Sequence, residues 1–106
     1  MMRINEAFRR TMIAVHGDAG RTWLDELPEL LQACQQHWAC RAAEEPFKLS
    51  YHYVTACVLA DGTAGVLKLG VPDVQWHREL AALRALQGRG MVRLLACLPE
   101  RGALLL

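Results

Sequence analysis

Apolar residues recur at helical spacing in the first part of the chain. Ile4, Phe8, Met12 and Val15 predict an amphipathic helix over residues 3–15. A second apolar stripe follows at the same kind of spacing, and it predicts a second helix: Leu24, Leu27, Leu31, Cys34 and Trp38. The chain therefore begins with two helices.

Local signals set where these helices should meet. Residues 17–20 contain two glycines and predict a turn, after which Thr22 has the sequence context of an N-cap. His16 stands near the end of the first helix, where a cation suits the helix dipole. Pro28 lies inside the second stripe, so the helix either kinks there or a new helix begins.

After Pro46 the pattern changes to strands. Short runs rich in β-forming residues predict strands over residues 47–49, 53–59, 64–69 and 91–98, and another that begins at residue 103. Asp61-Gly62 predicts a hairpin between the second and third of these strands.

One further helix interrupts the strands. Asp73 is placed to cap its N-terminus, and Gly88 and Gly90 should end it. Its apolar face carries Trp76, Leu80, Leu83 and Leu86. The predicted fold is α+β: two N-terminal helices, then an antiparallel sheet of about five strands with one helix packed on it. We expect one domain over residues 1–106, with a helical extension at 1–42 and the sheet plus helix at 46–106.

Composition narrows the possible functions. The 106 residues carry 12 lysines and arginines against 11 acidic residues, a net charge of +1, so no basic excess favours nucleic-acid binding. The apolar runs are shorter than the roughly 20 residues that a membrane helix needs, and no signal peptide is visible. We expect a cytoplasmic protein. The four cysteines form no C-x-x-C pair and are interpreted as small buried hydrophobic residues in a reducing compartment: Cys34, Cys40, Cys57 and Cys97.

Lys68 is a charged residue in an otherwise apolar strand. An unpaired buried charge is costly, and Glu79, on the margin of the apolar face of the next helix, is the nearest suitable partner. A lysine held by an acid is suited to binding the phosphates of a nucleotide. The pattern alone is equally compatible with a surface lysine on an edge strand and a solvated glutamate.

The loop before the second strand is another candidate. Ser50, Tyr51 and His52 stand where a phosphate-covering loop would lie, but the segment has no glycine and also fits a plain hairpin turn. His52 could hydrogen-bond a phosphate or serve as a turn residue. His77 is close to Glu79 in the sequence, but neighbours along a helix point in different directions, so His77 is expected to be exposed.

Several segments together resemble the N-terminal part of the streptomycin 6-kinase, or aminoglycoside/hydroxyurea phosphotransferase, family. The resemblance runs from about residue 20 to the last residue and rests on the order and spacing of these segments: Trp23-Leu24, Leu27-Pro28, Leu49-Ser50-Tyr51-His52-Tyr53-Val54, Ala60-Asp61-Gly62-Thr63, Val66-Leu67-Lys68-Leu69-Gly70-Val71-Pro72, Glu79-Leu80-Ala81-Ala82-Leu83-Arg84, Gly88-Arg89-Gly90-Met91-Val92-Arg93-Leu94-Leu95 and Gly102-Ala103-Leu104-Leu105-Leu106.

The resemblance implies a protein-kinase-like fold and ATP, with Mg²⁺, as the phosphate donor. Lys68 would hold the ATP phosphates, Glu79 would orient Lys68, and the 50–52 loop would lie over the nucleotide. Val66 and the strand around Leu94 and Leu95 would line the adenine pocket. The family more often has asparagine at the position of His52.

The family's catalytic half has no counterpart in these 106 residues. Its catalytic aspartate loop, metal-binding aspartate and antibiotic site belong to a C-terminal lobe. We therefore assign no catalytic residue, and expect a truncated nucleotide-binding lobe that binds ATP weakly and does not phosphorylate an antibiotic acceptor by itself. Two alternatives remain: a non-catalytic interaction module, for example a homodimer through the exposed cleft face, or a degenerate gene fragment.

Overall fold

The fold of the chain is described by a computed structural model, which covers residues 4–47, 49, 51–90 and 92–106. It contains three α-helices and five strands in these described ranges: α1 Glu6–His16, α2 Asp18–His37, β1 Cys40–Ala42, β2 Tyr53–Leu59, β3 Ala64–Leu69, α3 Val74–Leu86, β4 Ala96–Leu98 and β5 Ala103–Leu105. A short 3-10 helix, Pro99–Arg101, joins β4 to β5. The predicted α+β class is confirmed.

The strands form one antiparallel sheet in the order β1-β2-β3-β5-β4. The β2–β3 hairpin turns where Asp61-Gly62 predicted it. Leu59 N–H donates to Thr63 O at 2.8 Å, and Asp61 Oδ1 accepts from Thr63 N at 2.9 Å. Both strands have the predicted bounds, so the register that places Lys68 is set by this local turn.

The two sides of the sheet are covered differently. Alternate side chains of β2, β3 and β5 pack against α1 and α2 and form the larger core, which includes Phe8, Met12, Leu24, Leu27, Tyr53, Leu67, Leu69 and Leu105. The other side, here called the α3 side, carries Val54, Lys68 and Leu104 in one row across three strands. There Leu104 packs with Trp76, Leu80 and Leu83 of α3 in a smaller cluster.

The first strand differs from the prediction. It is Cys40–Ala42, before Pro46, and Phe47 and Leu49 lie in no strand, while Lys48 lies outside the described residues. The segment after β1 still follows β2 through single hydrogen bonds, such as Phe47 N to Val54 O at 2.8 Å. Pro46 has no N–H to donate, which prevents a continuous ladder here. Helix α2 ends at His37, with Trp38 as its C-cap residue.

The predicted start of the second helix was wrong. Helix α2 begins at Asp18, not at Thr22, and it runs without interruption through Pro28. Gly20 is a helical residue at which α1 and α2 touch, because a β-carbon there would collide with the backbone carbonyl of Met12. Glycine was read from the sequence as a turn signal, whereas here it permits close helix packing.

Two other boundaries also moved. Helix α1 begins after Asn5, whose side chain caps it by accepting from Phe8 N at 2.7 Å. Strand β4 covers only Ala96–Leu98 of the predicted 91–98, and Met91 lies outside the described residues. Among the helices that the structure describes, none has the length and apolar character needed to cross a membrane.

Candidate functional site

Lys68 and Glu79 form a close ion pair on the α3 side of the sheet. The ammonium Nζ of Lys68 donates to Glu79 Oε2 at 2.7 Å and to Oε1 at 3.0 Å. The two side chains keep 24% and 29% of their surface accessible. The pair is therefore sheltered enough to have a fixed geometry, yet open enough to meet a ligand.

Each partner is placed by its own element. Lys68 lies opposite Val54 in β2 and Leu104 in β5, so ladders on both sides fix its direction. Glu79 lies between the buried Trp76 and Leu83 along α3, on the margin of the helix face that packs on Leu104. The alternative interpretation, a surface lysine and a solvated glutamate, is not what the structure shows.

Val66 lies on the same side of the sheet as Lys68, two residues earlier in β3. It is half-buried, and its N–H and C=O exchange hydrogen bonds with Leu106 at 2.9 and 2.8 Å. Of the other residues expected near it, Leu94 packs against the smaller cluster, and Leu95 is 49% exposed. The structure therefore offers an apolar surface next to the lysine.

The residues of the loop before β2 differ in their surroundings. Ser50 lies outside the described residues. Tyr51 is 56% exposed, whereas His52 is half-buried and lies over Gly70 beside Trp76. Of this loop, His52 is the residue that the structure brings next to the ion pair.

The electrostatics of His52 reflect that position. Burial lowers the pKa of His52 below its ordinary value of 6.5, and the positive charge of Lys68 lowers it further, while Glu79 and Asp73 act in the opposite direction. His52 is therefore predominantly neutral near pH 7. A neutral imidazole can both donate and accept a hydrogen bond beside the Lys68 ammonium.

The tertiary structure adds two residues that the sequence pattern had assigned to helix ends alone. His16 at the end of α1 and Asp73 before α3 approach each other, with Nδ1 and Oδ2 3.6 Å apart. Together with His52 they line a cavity of about 260 Å³, whose other walls are Val15, Tyr51, Val71 and Gln75. No local sequence signal pairs residues 16 and 73, because they meet only once α1 has packed beside the sheet.

The other features considered in the described chain, which are a second cavity, His77 and groups of metal-ligating side chains, do not provide another candidate functional site. A larger cavity of about 640 Å³ lies between α2 and the segment after β3, beside Trp23 and Arg101, and contains none of the predicted site residues. His77 is exposed, as expected. Within residues 4–47, 49, 51–90 and 92–106, no group of three or more histidine, cysteine, aspartate or glutamate side chains could hold a metal ion.

The chemistry available here is anion binding. Lysine has three N–H donors, and Glu79 takes two of them, which leaves one for an incoming oxygen. The glutamate fixes the flexible lysine stem, so less conformational entropy is lost when an anion binds. Apolar neighbours on one side and a neutral imidazole on the other suit a ligand that has both a flat apolar part and a charged part.

Comparison with known proteins identifies relatives that cover most of this chain. It is 43% identical over 94 residues to a hydroxyurea phosphotransferase of Kitasatospora aureofaciens, a match that covers 85% of this chain and 26% of the relative. It is 36% identical over 90 residues to a streptomycin 6-kinase of Streptomyces griseus, which covers 85% of this chain and 29% of the relative. A streptomycin 6-kinase of Streptomyces glaucescens is 28% identical over all 106 residues, or 34% of its own length.

Other comparisons gave no match: no protein-family model and no solved structure is similar to the chain. The chain spans about a quarter to a third of the length of the curated relatives it matches. Their names agree with the predicted kinase-like N-terminal lobe, for which the observed α+β fold is suitable. The resemblance inferred from the sequence motifs is thus confirmed, and this chain is a homologue of part of the hydroxyurea phosphotransferase and streptomycin 6-kinase proteins.

Proposed function

We propose that the α3 side of the sheet binds ATP, with the Lys68 ammonium on the phosphates. The observation that carries this proposal is the two-bonded Lys68–Glu79 pair at 2.7 and 3.0 Å, which is only partly covered. Relatives named as a kinase and a phosphotransferase support the choice of ATP over other anions.

Under this proposal, the neighbouring residues take separate parts of the nucleotide. Val66 and its apolar surroundings would contact the adenine ring. Tyr51 and His52 would lie over the phosphates, together with Ser50, which lies outside the described residues. Glu79 does not touch the nucleotide and acts by orienting Lys68.

Mg²⁺ accompanies ATP in phosphoryl transfer in general, where it neutralises charge on the phosphates. The described residues of this chain contain no cluster that fits a bound metal ion. We therefore assign no residue of this chain to Mg²⁺ and make no catalytic assignment.

The activity of the whole protein is a further part of the proposal. Because the chain spans 26–34% of its relatives' length, we propose nucleotide binding for this chain and phosphoryl transfer to a small molecule, an aminoglycoside such as streptomycin or hydroxyurea, only for a protein of the relatives' full length. We propose a cytoplasmic location and no nucleic-acid partner, in line with the near-zero net charge.

Titration of the pure chain with ATP, with and without Mg²⁺, tests the proposal. We expect measurable binding by calorimetry or NMR, a loss of about tenfold or more in affinity for Lys68→Met, and a smaller loss for Glu79→Gln. Arg21→Met is the matched control, since it removes an exposed cation of α2, where Arg21 pairs with Asp18 at 3.2 Å. Equal ATP affinity in the wild type and Lys68→Met would refute the proposed site.

Self-association through the same side of the sheet is a second candidate. It is favoured by Val58, which lies four residues after Val54 on the α3 side and is 44% exposed. Sedimentation of the wild type and of Val58→Lys distinguishes the two: loss of a dimer in this variant supports the interface. Val15→Lys, at a position on α1 with 55% exposure, is the control for added charge alone.

A further inference from the structure

The contact between His16 and Asp73 joins two helices that are distant in sequence. The Nδ1 and Oδ2 atoms lie 3.6 Å apart, and the side chains keep 13% and 39% of their surface accessible. At this distance the imidazole and the carboxylate interact in a partly sheltered environment. The C-terminal end of α1 is thereby tied to the N-terminal end of α3.

Asp73 has two functions at once. Its Oδ1 atom caps α3 by accepting from Trp76 N at 2.8 Å, and its Oδ2 atom faces His16. An N-cap side chain fixes the direction in which the helix begins. Whatever holds Asp73 in place therefore also holds the first turn of α3.

Beyond this contact, helix α3 is held in the described chain by a small apolar cluster, by the Glu79–Lys68 pair and by Arg84, whose Nη2 lies 3.3 Å from Cys97 Sγ. Its buried side chains are Trp76, Leu80 and Leu83, which pack on Leu104, whereas α1 and α2 share the larger core with most of the sheet. Glu79 lies six residues beyond Asp73, or about 9 Å along the helix axis. A small rotation at the start of α3 therefore moves the Glu79 carboxylate relative to Lys68.

We propose that His16 is a positioning residue for the anion-binding pair Lys68–Glu79. By holding Asp73, it sets the orientation of α3 and therefore the position of the Glu79 carboxylate relative to Lys68. This role rests on the proposed nucleotide site. In this role His16 acts through Asp73 and not by its own contact with Lys68 or the nucleotide, so the link gives α1 an effect on ligand affinity. His52 lines the same cavity and adds a second imidazole near Asp73.

Two readouts on a small set of variants test this inference. The variants are His16→Gln, Asp73→Asn, which retains a capping oxygen but removes the charge, and the double variant. We expect each single variant to weaken ATP binding by about threefold to tenfold, and the double variant to be no weaker than the singles, because all three remove one link. The second readout is the ¹³C chemical shift of the Glu79 carboxylate without nucleotide, which we expect to move in the same variants.

A conservative variant and a matched control separate positioning from general stability. His16→Lys places a permanent cation opposite Asp73 and should restore ATP affinity to within about twofold of wild type. His37→Gln, which removes an exposed histidine from the last turn of α2, should change neither readout.

Each result bears on the inference. A lower melting temperature in His16→Gln with unchanged ATP affinity and an unchanged Glu79 signal would overturn it, since His16 would then be structural only. If the wild type binds no ATP, the proposed function fails, and the Glu79 signal decides the positioning role by itself: a shift in His16→Gln supports the role, and no shift refutes it.

Discussion

The imidazole of His52 occupies the space that a side chain at Gly70 would fill. A β-carbon on residue 70 would lie 2.5 Å from His52 Cδ2 and 3.3 Å from Nε2, and 3.5 Å from Trp76 Cδ1. Tyr53 and Leu69 are the paired residues next to them in β2 and β3, so His52 and Gly70 face each other where the hairpin strands end. The absence of a side chain at Gly70 is thus what admits His52 to the site.

We expect Gly70→Ala to displace the His52 ring. The added methyl group overpacks the contact, and the free energy of unfolding should fall by about 1–3 kcal/mol. Chemical denaturation measures this loss. The double variant with His52→Ala should recover most of the stability, because the clash is then removed; a double variant as unstable as Gly70→Ala would show that His52 is not the obstacle.

The lowered pKa of His52 predicts a dependence of stability on pH. Burial, with the charge of Lys68, holds the folded-state pKa below the ordinary value of 6.5, so the unfolded chain binds a proton more readily. The contribution of neutral His52 to the free energy of unfolding is complete above pH 6.5 and is lost as pH falls through the folded-state pKa. Urea unfolding at pH 7.5 and 5.5 should show that acid lowers the free energy of unfolding less in His52→Gln than in wild type. An identical loss in both would exclude His52 as the source.

Gly20 should be intolerant of a change that helices otherwise favour. Alanine stabilises an ordinary helix site by about 1 kcal/mol relative to glycine. At position 20 the new β-carbon would collide with the Met12 carbonyl, so Gly20→Ala should instead cost about 1–3 kcal/mol by separating α1 from α2. Ala14→Gly, at an exposed position of α1, is the comparison and should lose stability through propensity alone. A Gly20→Ala chain more stable than wild type would contradict the close helix contact.

Leu104 should be critical to the smaller cluster. It is fully buried against Trp76, Leu80 and Leu83, so Leu104→Ala should cost about 2–5 kcal/mol, a large share of the stability of a small domain. Leu95→Ala is the control, since Leu95 is 49% exposed and should lose far less. Thermal or chemical unfolding monitored by circular dichroism compares them, and similar losses at both positions would count against the assigned packing of α3.

Cysteine labelling should distinguish the buried thiols from Cys97. Burial raises the pKa of Cys34 and of Cys57 to about 11, so reactive thiolate is scarce at neutral pH. Cys97 is half-buried, and Arg84 Nη2 lies 3.3 Å from its sulfur. Iodoacetamide under native conditions should modify Cys97 first, by mass spectrometry, and Cys34 and Cys57 only after unfolding. Early modification of Cys34 would show that the core between α2 and the sheet opens readily.

Local patterns in the sequence were reliable where a structure depends on neighbours along the chain. The Asp61-Gly62 hairpin and the capping role of Asp73 are determined by residues within one turn, and both are confirmed. Strand β1 and the start of α2 were missed because their bounds depend on distant partners. Cys40 pairs with Leu59, nineteen residues later, which a window of neighbouring residues does not contain.

The sequence by itself determined the α+β fold and the bounds of β2 and β3, because apolar periodicity and turn signals operate locally. It named Glu79 as a candidate partner of Lys68 but left the pairing open, and the structure decided it. Only the tertiary structure decided that His52 packs on Gly70, that Gly20 joins α1 to α2, and that His16 meets Asp73. Each contact forms only when separate elements pack: α1 on α2 for Gly20, β2 beside β3 for His52 and Gly70, and α1 near the start of α3 for His16 and Asp73.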